Sequence, residues 1–362
     1  MKAFIKRLTD WEHWPFNLFY FPLFFVWAWY CLKSRSLWFF SASNPTLTFG
    51  GFEGESKSEM YSLLPKNIYP PSFFISPAEQ FSDVLQKIRD HNFSYPFIVK
   101  PDVGMKGLLF RKIDRQEQLQ HYHENIPVKY IIQQLIEMPM EVSVFYYRFP
   151  DAAKGHISAF IQKDLLHVKG DGLSTIRQLI LADTAAQSWI NEIGSLNDEV
   201  FSRVLNKDEV FYGSYIANRY HGARFKNLSH LINEQLLQLF DELSHGSKFS
   251  YGRYDIKCVS AASVRQGAAF SVMEFNGAGS IPNHIFTGGF TILQAYKEIC
   301  RHWNILYEIS AAYHRKGQPY WNFSRGYQFL KQAKKHFRVL ERLDKTIPSA
   351  CLVLHCVEQL VA

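Results

Sequence analysis

The sequence is poor in cysteine and lacks the common cysteine and histidine metal motifs. Its five cysteines form no CxxC pair, and no HExxH sequence occurs among its 14 histidines. This pattern argues against structural zinc and against a secreted disulfide framework, so we expect a reducing compartment, the cytoplasm. The GxxxxGK[ST] spacing of a P-loop is also missing, which excludes that assignment for the segment GGFEGESK.

The chain also lacks a concentrated block of charge. Lys and Arg total 40 and Asp and Glu total 33, and the resulting formal charge of +7 is spread along 362 residues. Such a distribution supports weak attraction to anionic surfaces or phosphates and gives no indication of a nucleic-acid partner. A hydrophobic content of 47% excludes disorder and suffices for one large domain or two to three modest ones.

Aromatic residues are abundant, at 16% of the chain, and much of that excess lies near the N-terminus. Residues 14–32, WPFNLFYFPLFFVWAWYCL, contain no charged side chain and would span roughly 28 Å as a helix. Pro15, Asn17 and Pro22 within the segment favour a position in the membrane interface over a spanning helix. Packing against the rest of the protein is the alternative. We predict a membrane-associated segment over residues 1–40, at the cytoplasmic face.

Turn-forming residues and periodic patterns divide the remainder of the chain. The segment SASNPTLTFGGFEG predicts a linker. This linker and the elements that precede the next domain make up residues 41–95. Strand patterns then alternate with amphipathic helices, which predicts an α+β domain over 96–300. Residues 301–362 are predicted to form a C-terminal helical extension.

A strand followed by a glycine loop is predicted at FIVKPDVGMKG. Lys100 ends the strand, and Gly104 and Gly107 bracket a turn that contains Lys106. Backbone amides of such a loop can approach a phosphate closely, and a lysine adds positive charge. A glycine hairpin with a solvated lysine is the alternative reading of the same residues.

Acidic and amide side chains recur on two further strand patterns, GRYDIKCV and MEFN. Glu274 and Asn276 are two residues apart and therefore share a strand face, where they can hold a hard cation together with Asp255. Oxygen ligands of this kind suit Mg²⁺. Arg253 shares the face of Asp255, where it can stabilise charge on a transferred phosphoryl group. A surface ion pair between Arg253 and a carboxylate is the alternative.

The order of these motifs resembles the ATP-grasp superfamily of carboxylate–amine ligases, over about residues 56–290. FIVKPDVGMKG is similar to its phosphate-binding lysine and glycine loop, QQLIEMPMEVSV to its interdomain hinge, and GRYD with MEFNGAGS to its metal-binding strands. VKGDGLSTIRQLI is similar to a segment of cyanophycin synthetases. The resemblance implies an ATP-grasp fold, two α+β subdomains gripping ATP, with an N-terminal apolar helical segment and a C-terminal helical region.

The resemblance also implies where ATP binds. Lys100 would contact the nucleotide phosphates, with a weaker earlier contact from Lys57. The backbone of residues 135–137 would hydrogen-bond adenine, Gln134 would lie near the adenine amino group, and Glu141 would take the ribose hydroxyls. The implied ATP-binding residues are Lys57, Lys100, Gly104, Lys106, Gly107, Gln134, Leu135, Ile136, Glu137 and Glu141.

At the reacting end, the resemblance implies that Asp255, Glu274 and Asn276 hold two Mg²⁺ ions, for which Mn²⁺ is an alternative. Arg253 and Lys100 are the implied catalytic residues. The implied reaction uses ATP to activate a small-molecule carboxylate as an acyl phosphate, which an amine then attacks. The N-terminal domain that supplies substrate contacts in D-alanine:D-alanine ligases has no counterpart here, so their substrates do not carry over. A nucleotide-binding module without ligase activity, and phosphoryl transfer to a small acceptor, are the alternatives.

Predictions also follow for a few further positions. The Asp171-Gly172 pair is typical of a tight turn that needs no ligand. His121 and His123 are predicted to be solvated helix positions. His284 follows the MEFN strand closely, so it either lines an acceptor site or serves packing and capping.

Overall fold

The structure is a computed structural model that describes residues 11–183, 198–212, 217 and 222–347. The chain divides into two compact units. Unit 1 consists of Met1–Tyr69, Val142–Ile161 and Asn227–Lys335, and unit 2 consists of Pro70–Glu141, Gln162–Lys226 and His336–Ala362. Helices and antiparallel strand pairs occur together, so the predicted α+β class is confirmed.

The elements are as follows in chain order. The helices are α1 (Phe16–Tyr20), α2 (Phe24–Ser34), α3 (Lys57–Ser62), α4 (Phe81–Asp90), α5 (Gln116–Asn125), α6 (Ile176–Ala182), α7 (Asp198–Phe201), α8 (Glu234–Ser247), α9 (Ala261–Arg265), α10 (Ile292–Arg315) and α11 (Phe323–Asp344). The strands are β1 (Ser72–Ile75), β2 (Phe97–Pro101), β3 (Arg111–Ile113), β4 (Tyr130–Gln134), β5 (Met140–Tyr147), β6 (His156–Asp164), β7 (His167–Lys169), β8 (Val210–Tyr212), β9 (Arg224–Asn227), β10 (Tyr251–Cys258) and β11 (Phe270–Asn276).

Three sheets organise the described strands. One has the order β11-β10-β5-β6-β9, and the strands β5 and β6 contain the points where the chain passes from one unit to the other. A four-stranded sheet of order β1-β4-β2-β3 lies in unit 2, and β7 pairs with β8 in the same unit. Strands β2 and β3 pair antiparallel on either side of the glycine loop, and β3 begins at Arg111.

The core of unit 1 is dominated by aromatic rings. Phe39, Phe40 and Phe49 are at most 1% exposed and pack with Leu306 and Ile309 of α10. Helix α10 begins at a capping box in which the Thr291 side chain accepts from the backbone of Gln294, a local signal that the sequence provides. The large aromatic content is therefore used largely for packing within this unit.

The segment predicted as a linker is part of this core. Ser41, Ser43 and Asn44 are at most 3% exposed, and Ala42 is fully buried. Gly51 has a φ of +70°, and a Cβ there would lie 2.8 Å from the Gly277 Cα atom. Small and turn-forming residues occur here because backbone segments approach one another closely. The same residue types are typical of loops, so the composition does not distinguish the two cases.

The N-terminal aromatic segment presents two different faces. Phe19 and Leu23 are 5% and 3% exposed and pack with Ile285 and Ile299. Six other large apolar side chains of α1 and α2 are more than half exposed, whereas Val26 and Trp27 are partly buried against the core. Within the described ranges, no helix has the length and apolar character needed to cross a membrane. The alternative of internal packing thus holds for one face of the segment.

His302 is fully buried in unit 1, between α10 and β6. Its Nδ1 donates to the Glu298 carbonyl oxygen at 2.9 Å, and its Nε2 accepts from the Ser158 hydroxyl at 2.9 Å. Burial lowers the pKa of His302 from 6.5 to about 4, outweighing the opposing effect of Glu298. Arg301 and His284, which also face this group, act in the same direction as burial. His302 is therefore neutral in the folded protein near neutral pH.

This burial predicts a pH-dependent stability. Between pH 6.5 and about 4 the unfolded chain binds a proton at His302 that the folded chain does not, so this residue lowers the free energy of unfolding as the pH falls. We expect His302 to contribute a loss of about 3 kcal/mol across that window, whereas Glu55, whose pKa is raised to about 7, contributes in the opposite direction. In urea unfolding, acidification should therefore destabilise His302→Gln less than it destabilises the wild type, whereas the exposed control His121→Gln should keep the wild-type profile. Equal profiles for all three proteins would contradict a neutral buried His302.

His123 corrects a sequence prediction. It is buried and not solvated, because its ring lies between the Tyr130 hydroxyl at 3.0 Å and the Glu79 carbonyl oxygen at 2.9 Å. His121, on the same helix, is exposed as expected. The two residues are two positions apart and so point to different sides of α5.

Candidate active site

The predicted metal-binding residues lie on a pair of antiparallel strands in unit 1. Asp255 of β10 is directly opposite Glu274 of β11, and Arg253 is directly opposite Asn276. The register shifts just after Asp255, which leaves Met273 as an extra residue on β11. Such a bulge breaks the alternation of the strand and re-aims the side chain that follows it, here Glu274. Directly opposite residues share one face of a sheet, so the four polar side chains are brought together.

Asp255 is held by two neighbours. The Arg253 Nε and Nη2 atoms donate to its two carboxylate oxygens, each at 3.0 Å, and the Ser143 hydroxyl of β5 donates to Oδ1. The Arg253 and Asp255 side chains are 16% and 5% exposed. The ion pair considered from the sequence is therefore present, but it is bidentate and buried and does not lie on the surface. Ser143 was not identified from the sequence, because nothing local marks it.

Glu274 and Asn276 lie close to each other on β11. The Asn276 Nδ2 donates to the Glu274 Oε1 at 3.4 Å, and both side chains are only partly buried. Two carboxylates and an amide oxygen form a donor set that fits Mg²⁺, a cation that prefers oxygen and usually keeps several waters. In the described part of the chain no three His, Cys, Asp or Glu side chains are grouped to hold a metal ion, so the predicted set depends on Asn276 as its third member.

Glu55 is a further acidic group, which the sequence did not single out as a site residue. Burial raises its pKa from 4.5 to about 7, and the charges of Glu274 and Glu59 act in the same direction, against a backbone hydrogen bond and Lys57. Lys57 itself is 5% exposed and begins α3, whose N-cap Ser56 accepts from the Glu59 backbone at 3.1 Å. Glu55, just before α3, is thus coupled electrostatically to Glu274 of the β10–β11 site, and Lys57 at the start of α3 acts on the same acid.

Glycines make this arrangement sterically feasible. Gly252, next to Arg253, has a φ of +149°, and a Cβ there would lie 2.0 Å from the Asn276 carbonyl oxygen. Gly279 is equally restricted, since its Cβ would lie 2.0 Å from the Phe52 carbonyl oxygen. The backbone amides of Ala278 and Gly279 donate to the carbonyls of Gly50 and Gly51 at 3.0 and 3.1 Å. The GGF segment and the loop after β11 are therefore joined by their backbones.

The predicted phosphate loop lies in unit 2. Lys100 stands near the end of β2 opposite Ile131 of β4 and is partly buried. The following loop turns through left-handed conformations at Lys106 (φ +55°) and Gly107 (φ +79°), whereas Gly104 has no such requirement. The structure thus explains one glycine of the pair by backbone conformation. Phosphate binding by this loop stays a prediction.

The predicted hinge residues follow β4 in the same unit. Gln134 ends the strand with an exposed side chain, and residues 135–137 belong to neither β4 nor β5. Glu141, near the start of β5, accepts from Lys163 Nζ of β6 at 3.2 Å. Lys163 is buried, and Glu141 is 16% exposed. Sequence reasoning missed Lys163, whose pairing with Glu141 could be inferred only from the adjacency of β5 and β6.

The candidate residues are thus found in both units. Arg253, Asp255, Glu274, Asn276 and Lys57 belong to unit 1. The phosphate loop, the hinge and Glu141 belong to unit 2.

No family model and no curated protein sequence matches the chain. Solved structures do. The chain is similar to the D-Ala:D-Ser ligase VanG from Enterococcus faecalis, with 13% identity and a TM-score of 0.39 over 71% of this chain and 61% of that one. It is similar to a D-alanine–D-alanine ligase from Bacillus anthracis, with 13% identity and a TM-score of 0.41 over 72% and 69%.

A third similar structure is the ATP-grasp ligase PsnB, with 12% identity and a TM-score of 0.37 over 68% of this chain and 60% of that one. PsnB carries the name of the superfamily that the sequence motifs resemble. The chain spans less than two thirds of VanG and of PsnB. At these TM-scores the similarity assigns no activity, substrate or site residue to this chain.

Two further predicted positions have structural partners. Asp171 accepts from the backbone amides of Leu173 and Ser174 at 2.8 and 2.7 Å, so it stabilises a turn as its sequence predicts. His284 is buried, and its Nε2 lies 2.9 Å from the Glu298 carboxylate. This contact favours the packing alternative for His284, in which it anchors the loop after β11 to α10.

Proposed function

We propose that this protein is an ATP- and Mg²⁺-dependent ligase that joins a small-molecule carboxylate to an amine through an acyl phosphate. The observation that carries the proposal is the β10–β11 strand pair. It places Asp255 opposite Glu274 and Arg253 opposite Asn276, with two carboxylates, an amide and a guanidinium on one face. Such a group suits a phosphoryl-transfer site, where charge neutralisation and positioning provide most of the catalysis.

Each residue has a role in this proposal. Asp255, Glu274 and Asn276 would hold Mg²⁺, which when bound neutralises phosphate charge. Arg253, fixed by its bidentate contact with Asp255, faces the reacting phosphoryl group. In unit 2, Lys100 and the loop with Lys106 and Gly107 bind phosphates, the segment 134–137 binds adenine, and Glu141 accepts from the ribose hydroxyls.

The proposed reaction has two steps. A carboxylate oxygen of the substrate attacks the γ-phosphorus of ATP, and ADP leaves. The amine nitrogen then attacks the acyl carbon, phosphate leaves, and the amine releases a proton. The first step replaces the poor leaving group of a carboxylate with phosphate, a good leaving group, so an amide can form at neutral pH.

The test is ADP release by the full chain with Mg²⁺ and ATP across pooled amino acids and dipeptides. We expect release that requires both a carboxylate and an amine, and a product whose mass equals their sum less one water. Hydroxylamine should replace the amine and trap the acyl phosphate as a hydroxamate. A stable phosphorylated acceptor would instead indicate kinase-like transfer, and ATP binding without release in any pool would indicate a binding module. Either result would overturn the ligase.

A further inference from the structure

The N-terminal helices of unit 1 expose an unusually large set of apolar side chains, which we call the aromatic face. Its members are between 53% and 73% exposed. They are Phe16, Leu18, Phe21, Phe24, Phe25, Trp29 and Leu32. Single exposed apolar residues are common on soluble proteins, but a contiguous group of this size marks an interaction surface.

The aromatic face is firmly held in place by the opposite side of the same segment. The Trp11 Nε1 donates to the Phe290 carbonyl oxygen at 3.0 Å, and the Tyr30 hydroxyl donates to Asn304 Oδ1 at 3.1 Å. The Phe21 and Phe25 ring centroids are 6.3 Å apart, and Phe25 and Trp29 are four residues apart on α2, so the three rings form a single stripe. The exposure is therefore a consequence of how the segment packs, with one stripe buried and the other facing outward.

The apolar surface continues beyond α2. Leu37 is 51% exposed, and the neighbouring Trp38 stacks on Phe323 and donates from Nε1 to its carbonyl oxygen at 3.3 Å. Phe323 and Tyr327 of α11 stack on each other and are 63% and 55% exposed. The start of α11 thus extends the surface formed by the N-terminal segment.

Positive charges predominate in the two chain segments that form this surface, although Glu308 of α10 acts on Tyr30 of α2. Residues 13–52 contain Lys33 and Arg35 and no Asp or Glu. Residues 309–335, which include the start of α11, contain six Lys or Arg and no Asp or Glu. An apolar aromatic surface bordered by cations is complementary to the surface of a membrane that contains anionic lipids.

We propose that the aromatic face docks unit 1 on a bilayer of anionic phospholipids, with α2 lying in the plane of the interface. Helix α2 has 11 residues and is about 16 Å long, far shorter than the roughly 30 Å of a hydrocarbon core. Phe and Trp side chains are well suited to the interfacial region.

The same charges disfavour a second copy of the chain as the occupant of this surface. Two copies meeting at the aromatic face would bring like-charged borders together, whereas anionic lipid headgroups attract them. The face itself also carries few hydrogen-bonding groups, as suits contact with acyl chains.

The test is co-sedimentation of the full chain with phosphatidylcholine vesicles, with and without phosphatidylglycerol. We expect binding that is stronger with phosphatidylglycerol and weaker at high salt. The double variant Phe25→Ser with Trp29→Ser should bind at least about tenfold more weakly, because it removes two large side chains from the contact. The matched control, Leu173→Ser with Val259→Ser, removes two side chains that are 84% and 53% exposed elsewhere and should bind as wild type.

All four substituted residues are exposed, so both double variants should fold, and thermal unfolding checks this. Equal binding by wild type and the Phe25 and Trp29 variant would overturn the proposal, as would a wild type that binds neither vesicle. A dimer in solution that dissociates in that variant would assign the face to a second copy and would also overturn it. ATP turnover without vesicles is measured separately, so this result is independent of the proposed ligase activity.

Discussion

Glu274→Ala should reduce ADP release at least about a hundredfold while leaving the protein folded. Glu274 provides one of only two carboxylates in the proposed metal set, and it lies opposite Asp255 across the β10–β11 pair. The side chain is partly exposed and makes one long contact, to Asn276 at 3.4 Å, so its removal should cost little stability. Steady-state ADP release and the melting temperature measure the two effects separately.

The control for this prediction is Glu124→Gln, an exposed acid on α5 that contacts Gln120. It removes one carboxylate of the chain without touching the strand pair, and it should leave ADP release unchanged. A second arm varies Mg²⁺: the residual activity of Glu274→Ala should need a higher Mg²⁺ concentration for half-saturation. Turnover at the wild-type rate and the wild-type Mg²⁺ dependence would remove Glu274 from the metal set.

Asn44→Ala should lower the free energy of unfolding by about 3–5 kcal/mol. The Asn44 side chain is fully buried and makes four hydrogen bonds to the backbone. Its Nδ2 donates to the carbonyls of Gly50 and Tyr251 at 3.0 and 2.9 Å, and its Oδ1 accepts from the amides of Ser250 and Tyr251 at 2.8 and 3.0 Å. Alanine would remove the acceptor of the buried Ser250 and Tyr251 amides, which is costly in the protein interior, whereas the Gly50 carbonyl would keep its bond from the Ala278 amide. Urea unfolding followed by circular dichroism measures the loss.

The matched control is Asn227→Ala. Asn227 is exposed and its Oδ1 accepts one bond, from the Ser229 amide at 2.8 Å. We expect a loss of about 0.5–1 kcal/mol, because water replaces a partner at an exposed site. Similar losses for the two variants would show that the segment around Asn44 is less tightly packed than its burial indicates.

Asn44 also shows where composition misleads. Ser, Asn, Pro and Gly in the segment 41–54 are typical of a linker, and they are equally what a chain needs to pass between closely packed backbones. An asparagine that bonds the backbone at four points has the same local sequence as one in a solvated turn. The difference is a long-range one, because Tyr251 is more than 200 residues away along the chain.

The polar site has the same division between local and long-range information. The spacing of Glu274 and Asn276 places them on one strand face, and the strand pattern around Asp255 is equally clear. The strands β10 and β11 and their polar residues were therefore predictable. The roles of Ser143, Glu55 and Lys163 could not be predicted. Their partners are Asp255, Glu274 and Glu141, and these lie nearby only because of the strand order and the path of a loop. Neighbouring residues in the sequence encode neither of those features.

The sequence by itself determined the α+β class, the strands β10 and β11 with their shared polar face, and helix starts such as Ser56 and Thr291. These features depend on side-chain periodicity and on capping bonds between residues three apart. Only the tertiary structure decided that residues 41–54 are core, that His123 is buried, and that the N-terminal aromatic segment packs with one stripe and exposes the other. Burial depends on which distant part of the chain packs against a side chain. An apolar residue type can face the core or face outward, so the residue type alone does not decide between the two.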